Sequence, residues 1–219
     1  MRLRAMALAL AAVAAAAATH RVEAVSEHER RLGAELAVLA GDARRLAESM
    51  PESQRSGLTA RIKGGLSGLP LLMRQARDSN SALPAAPQQT FAEIRAALDR
   101  QDPSRLAAAL AALARTYPFD AAGILPAEAT PERLRVGEAI HKETCAGCHD
   151  YPDTRGFLPA HNLFRWARTM PAAEFAARMY AGLRGDPLTG LANPFGAVDI
   201  AALIAYYREG QEGRRSSGR

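Results

Sequence analysis

Cysteine is nearly missing from this chain, with two in 219 residues. A structural zinc site draws on about four Cys or His ligands. The histidines away from the two cysteines (His20, His28, His141, His161) form no second paired motif. Aromatic residues are scarce at 5%, and runs of β-branched residues are very few. Alanine is used heavily in their place, a balance that points to helix throughout. Dense Lys/Arg blocks are lacking outside the termini, so the formal charge of +5 does not indicate nucleic-acid binding. The uncharged stretch at residues 5–18 has 14 residues, short of the roughly 20 that a membrane-spanning helix needs.

What is present begins with that stretch. Arg2 and Arg4 precede it, and small residues follow near Ala18 and at Val22-Glu23-Ala24. This is the pattern of a cleaved secretory signal over residues 1–24, with an uncleaved anchor as the alternative. Either puts the rest of the chain outside the cytoplasm, in a bacterial periplasm or its equivalent. Removing residues 1–24 takes away Arg2, Arg4, Arg21 and Glu23, and net charge falls from +5 to +3.

The two cysteines stand in Cys145-Ala146-Gly147-Cys148-His149. A C-x-x-C-H run is the attachment pattern of a c-type haem. Each thiol adds to one vinyl group of the porphyrin, and the short spacing lets both reach one ring. His149 then supplies the proximal nitrogen to iron. A helical turn here aims all three groups at the same macrocycle. A thioredoxin-type dithiol would follow a strand in a βαβ unit, and no such pattern precedes this one. The expected cofactor is one covalently attached haem, and thioether formation would also shield both thiols from an oxidising compartment.

The chain length allows one large domain or two small ones. Residues 25–118 read as a helical domain without a cofactor motif. Leu32, Leu36, Leu39, Ala43 and Leu46 make one apolar stripe, with Glu and Arg on the opposite face. A second segment carries Leu58, Ile62, Leu69, Leu72 and Met73, and Pro70 suggests a break or kink. Residues 78–88 read as a loop. Phe91, Ile94 and Leu98 mark a third segment. Asp102-Pro103 caps a fourth with Leu106, Leu110 and Leu113 on one face. Four such pieces predict an antiparallel bundle or two helical hairpins. Met50 and Met73 read as core filler, and His28 as a solvated residue. Residues 119–130 form a proline-rich but apolar connector, after which Thr130-Pro131-Glu132 restarts a helix. Residues 211–219 read as a disordered tail.

From about residue 130 to 210 the sequence resembles a class I c-type cytochrome domain. The resemblance rests on Gly137-Glu138-Ala139-Ile140-His141, then C-x-x-C-H, then Pro159 with Leu163, then an apolar helix from Asp199 to Tyr207. It implies an all-α chain with a small haem domain at 131–210. It implies a close crossing of the first and last helices at Gly137 against Tyr206 or Tyr207. It also implies that the Pro159 carbonyl accepts a hydrogen bond from His149, a support that tunes ligand basicity. Asp199 would cap the last helix.

The family's second axial ligand is a methionine from the loop before the last helix. Residues 184–197 contain no Met, His, Lys, Cys or Tyr. Met179 or Met170 could serve, or His161, or the iron could stay open behind Leu188, Leu191 and Phe195. Arg184 or Asn193 would be the polar groups of an open distal side. Trp166 reads as core or haem-edge packing, and Arg165 and Arg168 as surface charges or propionate partners.

The expected function is one-electron transfer between periplasmic redox partner proteins, a carrier rather than an enzyme. The alternatives are haem-based small-ligand binding or weak peroxidase activity at an open site, and a structural haem subunit of a larger respiratory complex. A membrane enters only if the N-terminal segment is retained.

Overall fold

The computed structural model describes residues 25–85, 88–151, 157–184, 190–191 and 193–210. The expected signal segment 1–24 and the tail 211–219 lie outside the described residues. The described residues are all-α, apart from a two-residue antiparallel pairing of β1 (Leu183–Arg184) with β2 (Gly190–Leu191). No described helix is long and apolar enough to cross a membrane.

Four helices come first. α1 (Glu27–Leu46) starts at Ser26, whose hydroxyl accepts from Glu29 N–H while the Glu29 carboxylate accepts from Ser26 N–H. That reciprocal pair meets two of the donors a helix start leaves unpaired. α2 (Glu52–Ser79) runs through Pro70 without ending there. The expected break is absent because Pro70 sits on the solvent face, where water can take the hydrogen bonding that the ring displaces. α3 (Gln88–Asp99) follows, and α4 (Pro103–Thr116) is capped by Asp102, which accepts from Arg105 N–H at 2.9 Å.

The predicted stripe of α1 is buried, from Leu32 through Leu46, against Leu58, Ile62, Leu69, Leu106 and Leu110. The face that carries Glu and Arg is covered in part as well. Ala34, Glu35, Val38 and Asp42 are buried too. α1 packs on α2 and α4 on one side and on a later helix, α8 (Ala172–Ala181), on the other. A helix dressed on two sides shows no clean amphipathic boundary.

The second half begins with α5 (Pro131–Ile140), capped by the Thr130 hydroxyl. A π turn (His141–Cys145) leads into α6 (Ala146–His149). α7 (Leu163–Thr169), α8 (Ala172–Ala181) and α9 (Ala197–Glu209) complete the chain. Asp199 is the third residue of α9 rather than its cap. It reaches back to accept from Gly196 N–H at 3.3 Å.

The apolar core divides along the chain. Residues 32–117 supply one cluster and residues 124–207 another. A third joins them where Ala34 and Val38 of α1 meet Ala177 and Ala181 of α8. The connector is packed, with Ile124 fully buried and Phe119 against Tyr180 at 5.6 Å between ring centres.

α5 and α9 cross at very close range. A methyl group placed on Gly137 would lie 2.3 Å from the Ala202 carbonyl oxygen and 2.7 Å from Tyr206 Cβ. This is the glycine-dependent approach expected from the sequence, made to Ala202 and Tyr206.

Candidate functional site

Cys145, Cys148 and His149 share one helical stretch, so the side chains follow one another around a single turn. The turn before them is widened. The Thr144 hydroxyl donates to the Ile140 carbonyl at 2.7 Å, and Ala146 N–H bonds back to His141. A side chain that competes for its own helix carbonyl loosens the ladder there, and single π turns recur at functional sites. Neither cysteine is in a disulfide. Cys148 is exposed, and Cys145 is half-buried against the second core cluster.

His149 is fixed by its ring. Nδ1 lies 2.6 Å from the backbone carbonyl oxygen of His161. A carbonyl only accepts, so Nδ1 carries the proton and Nε2 keeps its lone pair. Burial holds the imidazole below its ordinary pKa, opposed in part by that carbonyl. The ring is therefore neutral at physiological pH, with one nitrogen free to coordinate. The acceptor expected from the sequence was the Pro159 carbonyl. The chain continues two residues further before presenting its carbonyl, because Asn162 caps α7 (accepting from Arg165 N–H at 2.8 Å) and turns the backbone just beyond His161.

The ring of His161, an alternative iron ligand in the sequence, has partners of its own. It stacks on Trp166 with centres 4.0 Å apart, and Nε2 accepts from Arg45 Nη2 at 3.0 Å. Burial, followed by the charges of Arg45, Arg61 and Arg178, pushes its pKa down to about 3. Two guanidiniums approach Trp166, Arg45 at 4.9 Å and Arg178 at 5.4 Å from its ring centre.

A residue with no role of its own in the sequence stands beneath the motif. His141 is buried, with Nδ1 at 3.0 Å from the Tyr207 hydroxyl and Nε2 at 3.2 Å from Asp150 Oδ1. Burial pushes the Tyr207 phenol well up, and the nearby Cys145 sulfur adds to this. Tyr207 thus stays protonated. The simplest assignment has Tyr207 donating to Nδ1 while Nε2–H donates to the Asp150 carboxylate. Phe164, Tyr206 and Tyr207 surround the imidazole edge-on or tilted at 5.4–5.7 Å. This cluster ties α9 to both ends of the motif. The only hint in the sequence was the Tyr206-Tyr207 pair on the last helix.

Other expected residues have different tasks. Arg168 donates to the carbonyls of Arg208 and Gly210 and so finishes α9. Asn193 donates to the Met179 carbonyl and accepts from Phe195 N–H, which ties down the segment before α9. Met170 and Met179 are partly buried against the second core. Leu188 lies outside the described residues, and only backbone pairing is described for Arg184 and Leu191. Among the described residues, no group of three or more His, Cys, Asp or Glu side chains gathers as a metal site.

A charged cluster joins this region to the first four helices. Asp42 is fully buried and accepts from Arg61 Nε and Nη2, each at 2.8 Å. It also pairs with Arg178 Nη1 at 2.9 Å. Arg178 turns its Nη2 to Glu174 at 2.8 Å, and Arg44 reaches Glu174 from outside. Comparison with known protein families, curated proteins and solved structures finds no match to the chain.

Proposed function

We propose that this chain is an exported monohaem c-type cytochrome that carries single electrons between redox partner proteins outside the cytoplasm. The observation that carries the reading is His149: a neutral imidazole with Nδ1 tied to a carbonyl, directly after two unpaired thiols on the same helical stretch. The donor set fits a covalent haem. Cys145 and Cys148 would hold it, each S–H adding across a vinyl C=C with no net change of oxidation state, and His149 Nε2 would bind iron. A haem bound here supplies the one-electron couple.

The remaining work belongs to the chain's own residues. The His161 carbonyl orients His149 and raises its basicity, as outer partners of ligating histidines do. His141, held between Tyr207 and Asp150, fixes the motif against α9. The aromatic cluster of Phe164, Phe175, Tyr206 and Tyr207 excludes water from beneath it.

The test is covalent pigment in the full chain, made in cells able to attach haem. The wild type is expected to keep a haem absorbance band after denaturation and acid–acetone extraction. The C145A/C148A double variant is expected to lose it entirely. Pigment that survives in the double variant, or that extracts from the wild type, sinks the reading.

One observation favours a second reading, small-ligand binding at iron: residues 184–197 hold no Met, His, Lys, Cys or Tyr. The optical spectrum separates the two. A low-spin iron that ignores CO supports the carrier, and a high-spin iron that binds CO supports the ligand-binding protein.

A further inference from the structure

The segment that carries the His149 acceptor is held from outside its own half of the chain. Leu158 packs into the first core cluster. The Phe157 carbonyl passes so close to α2 that a methyl group on Gly57 would lie 2.6 Å from its oxygen. The His161 ring is bound by Arg45 of α1 at 3.0 Å, and the same guanidinium lies over Trp166, the ring on which His161 stacks. Among the described residues Arg45 Nη1 is buried with no hydrogen-bond partner, and the bond from Nη2 to His161 orients the group. Residue 161 therefore has its side chain fixed by Arg45 and Trp166, and its carbonyl fixed on His149 Nδ1.

We infer that Arg45 is a positioning residue for the proximal histidine, acting through the His161 ring on the carbonyl that accepts the His149 Nδ1 proton. The inference rests on the proposed haem reading. It also gives the first four helices a task beyond packing, since they hold the outer support of an iron ligand. A firmly held acceptor draws the Nδ1 proton, raises the basicity of Nε2 and favours the oxidised iron. A loosened acceptor does the reverse.

The experiment uses the full haem-loaded chain and two readouts: the midpoint potential, and the exchange rate of the His149 Nδ1–H by NMR. Arg45→Met removes the donor. His161→Phe removes the side-chain acceptor but leaves the carbonyl in the backbone. Both are expected to shift the Fe(III)/Fe(II) equilibrium about threefold toward the reduced form, or about 28 mV on a one-electron scale where tenfold is about 59 mV. Both are also expected to speed the ring N–H exchange several-fold. Arg45→Lys keeps a donor and should move each readout less than Arg45→Met. Asp102→Ala removes the cap of α4 and leaves the Arg45–His161 pair in place. It should lower the melting temperature while leaving potential and exchange unchanged.

If Arg45→Met and His161→Phe lower only the melting temperature, as Asp102→Ala does, Arg45 is structural and the inference fails while the haem reading stands. If the wild type carries no covalent haem, both fail together.

Discussion

Replacing Asp42 by Ala is expected to cost the fold about 3–5 kcal/mol, the usual effect of removing one partner from a buried ion pair. The carboxylate is 0% exposed, and its two guanidinium partners are 17% and 11% exposed. Without it, Arg61 and Arg178 keep their charge but lose the acceptor that offsets their burial. Arg178 retains Glu174, which sets the effect short of a fully orphaned charge. Asp42→Asn keeps the shape and should still lose most of the stability. At roughly 2–4 °C per kcal/mol for a chain of this size, the melting temperature should fall by roughly 6–20 °C. Arg44→Ala is the contrast. Arg44 is 52% exposed, and an exposed partner contributes about 1 kcal/mol or less. Calorimetry also tests where the cluster acts. Asp42 joins α1 and α2 to α8, so the Asp42→Ala chain should melt in two transitions instead of one. A single transition near the wild-type temperature would count against the account.

Gly137→Ala is expected to destabilise by about 2–3 kcal/mol, although alanine is the better helix former by about 1 kcal/mol. The obstacles are a carbonyl oxygen of α9 at 2.3 Å and the Cβ of Tyr206 at 2.7 Å. Neither is the far end of a flexible side chain, so the two helices must separate. Tyr207 sits beside Tyr206 on α9, and its contact with His141 at 3.0 Å should lengthen with the shift. Gly68→Ala in α2 supplies the control, because nothing lies within 4 Å of the added methyl. There the propensity gain stands alone, and stability should rise by about 0.5–1 kcal/mol. Urea unfolding of the two variants should therefore move in opposite directions, and a stabilised Gly137→Ala would contradict the close crossing.

Local features of the fold were legible where one residue performs one local task. Asp102 and Thr130 cap the helices that their positions predict, and the leucine stripe of α1 is buried as its spacing requires. Gly137 marks the tight crossing. Pro70 does not break α2, since whether a proline breaks a helix depends on which side meets solvent. The partners of the α1 charges were not legible. Asp42, Arg44 and Arg45 find theirs in α2, in α8 and just before α7, and no spacing rule relates them. The site divides in the same way. The adjacency of Cys145, Cys148 and His149 is local and visible. The His161 carbonyl is a backbone atom placed by the turn into α7, and no residue type announces it. His141 had no role of its own there because an isolated histidine has no pattern until Tyr207 and Asp150 close around it.

α1 is synthesised long before α8, the helix that completes its burial. Arg44 and Glu174 are 130 residues apart in the chain, and Ala34 and Val38 wait as long for Ala177 and Ala181. Contacts of such separation close slowly. Until α8 arrives, α1 offers the apolar face of Ala34 and Val38 beside an Asp42 held by Arg61 of α2 alone, a surface suited to transient capture by folding helpers and prone to association between nascent chains. The C-x-x-C-H turn emerges before α8 does, so there is an interval in which both thiols are present and this closing contact has not yet formed.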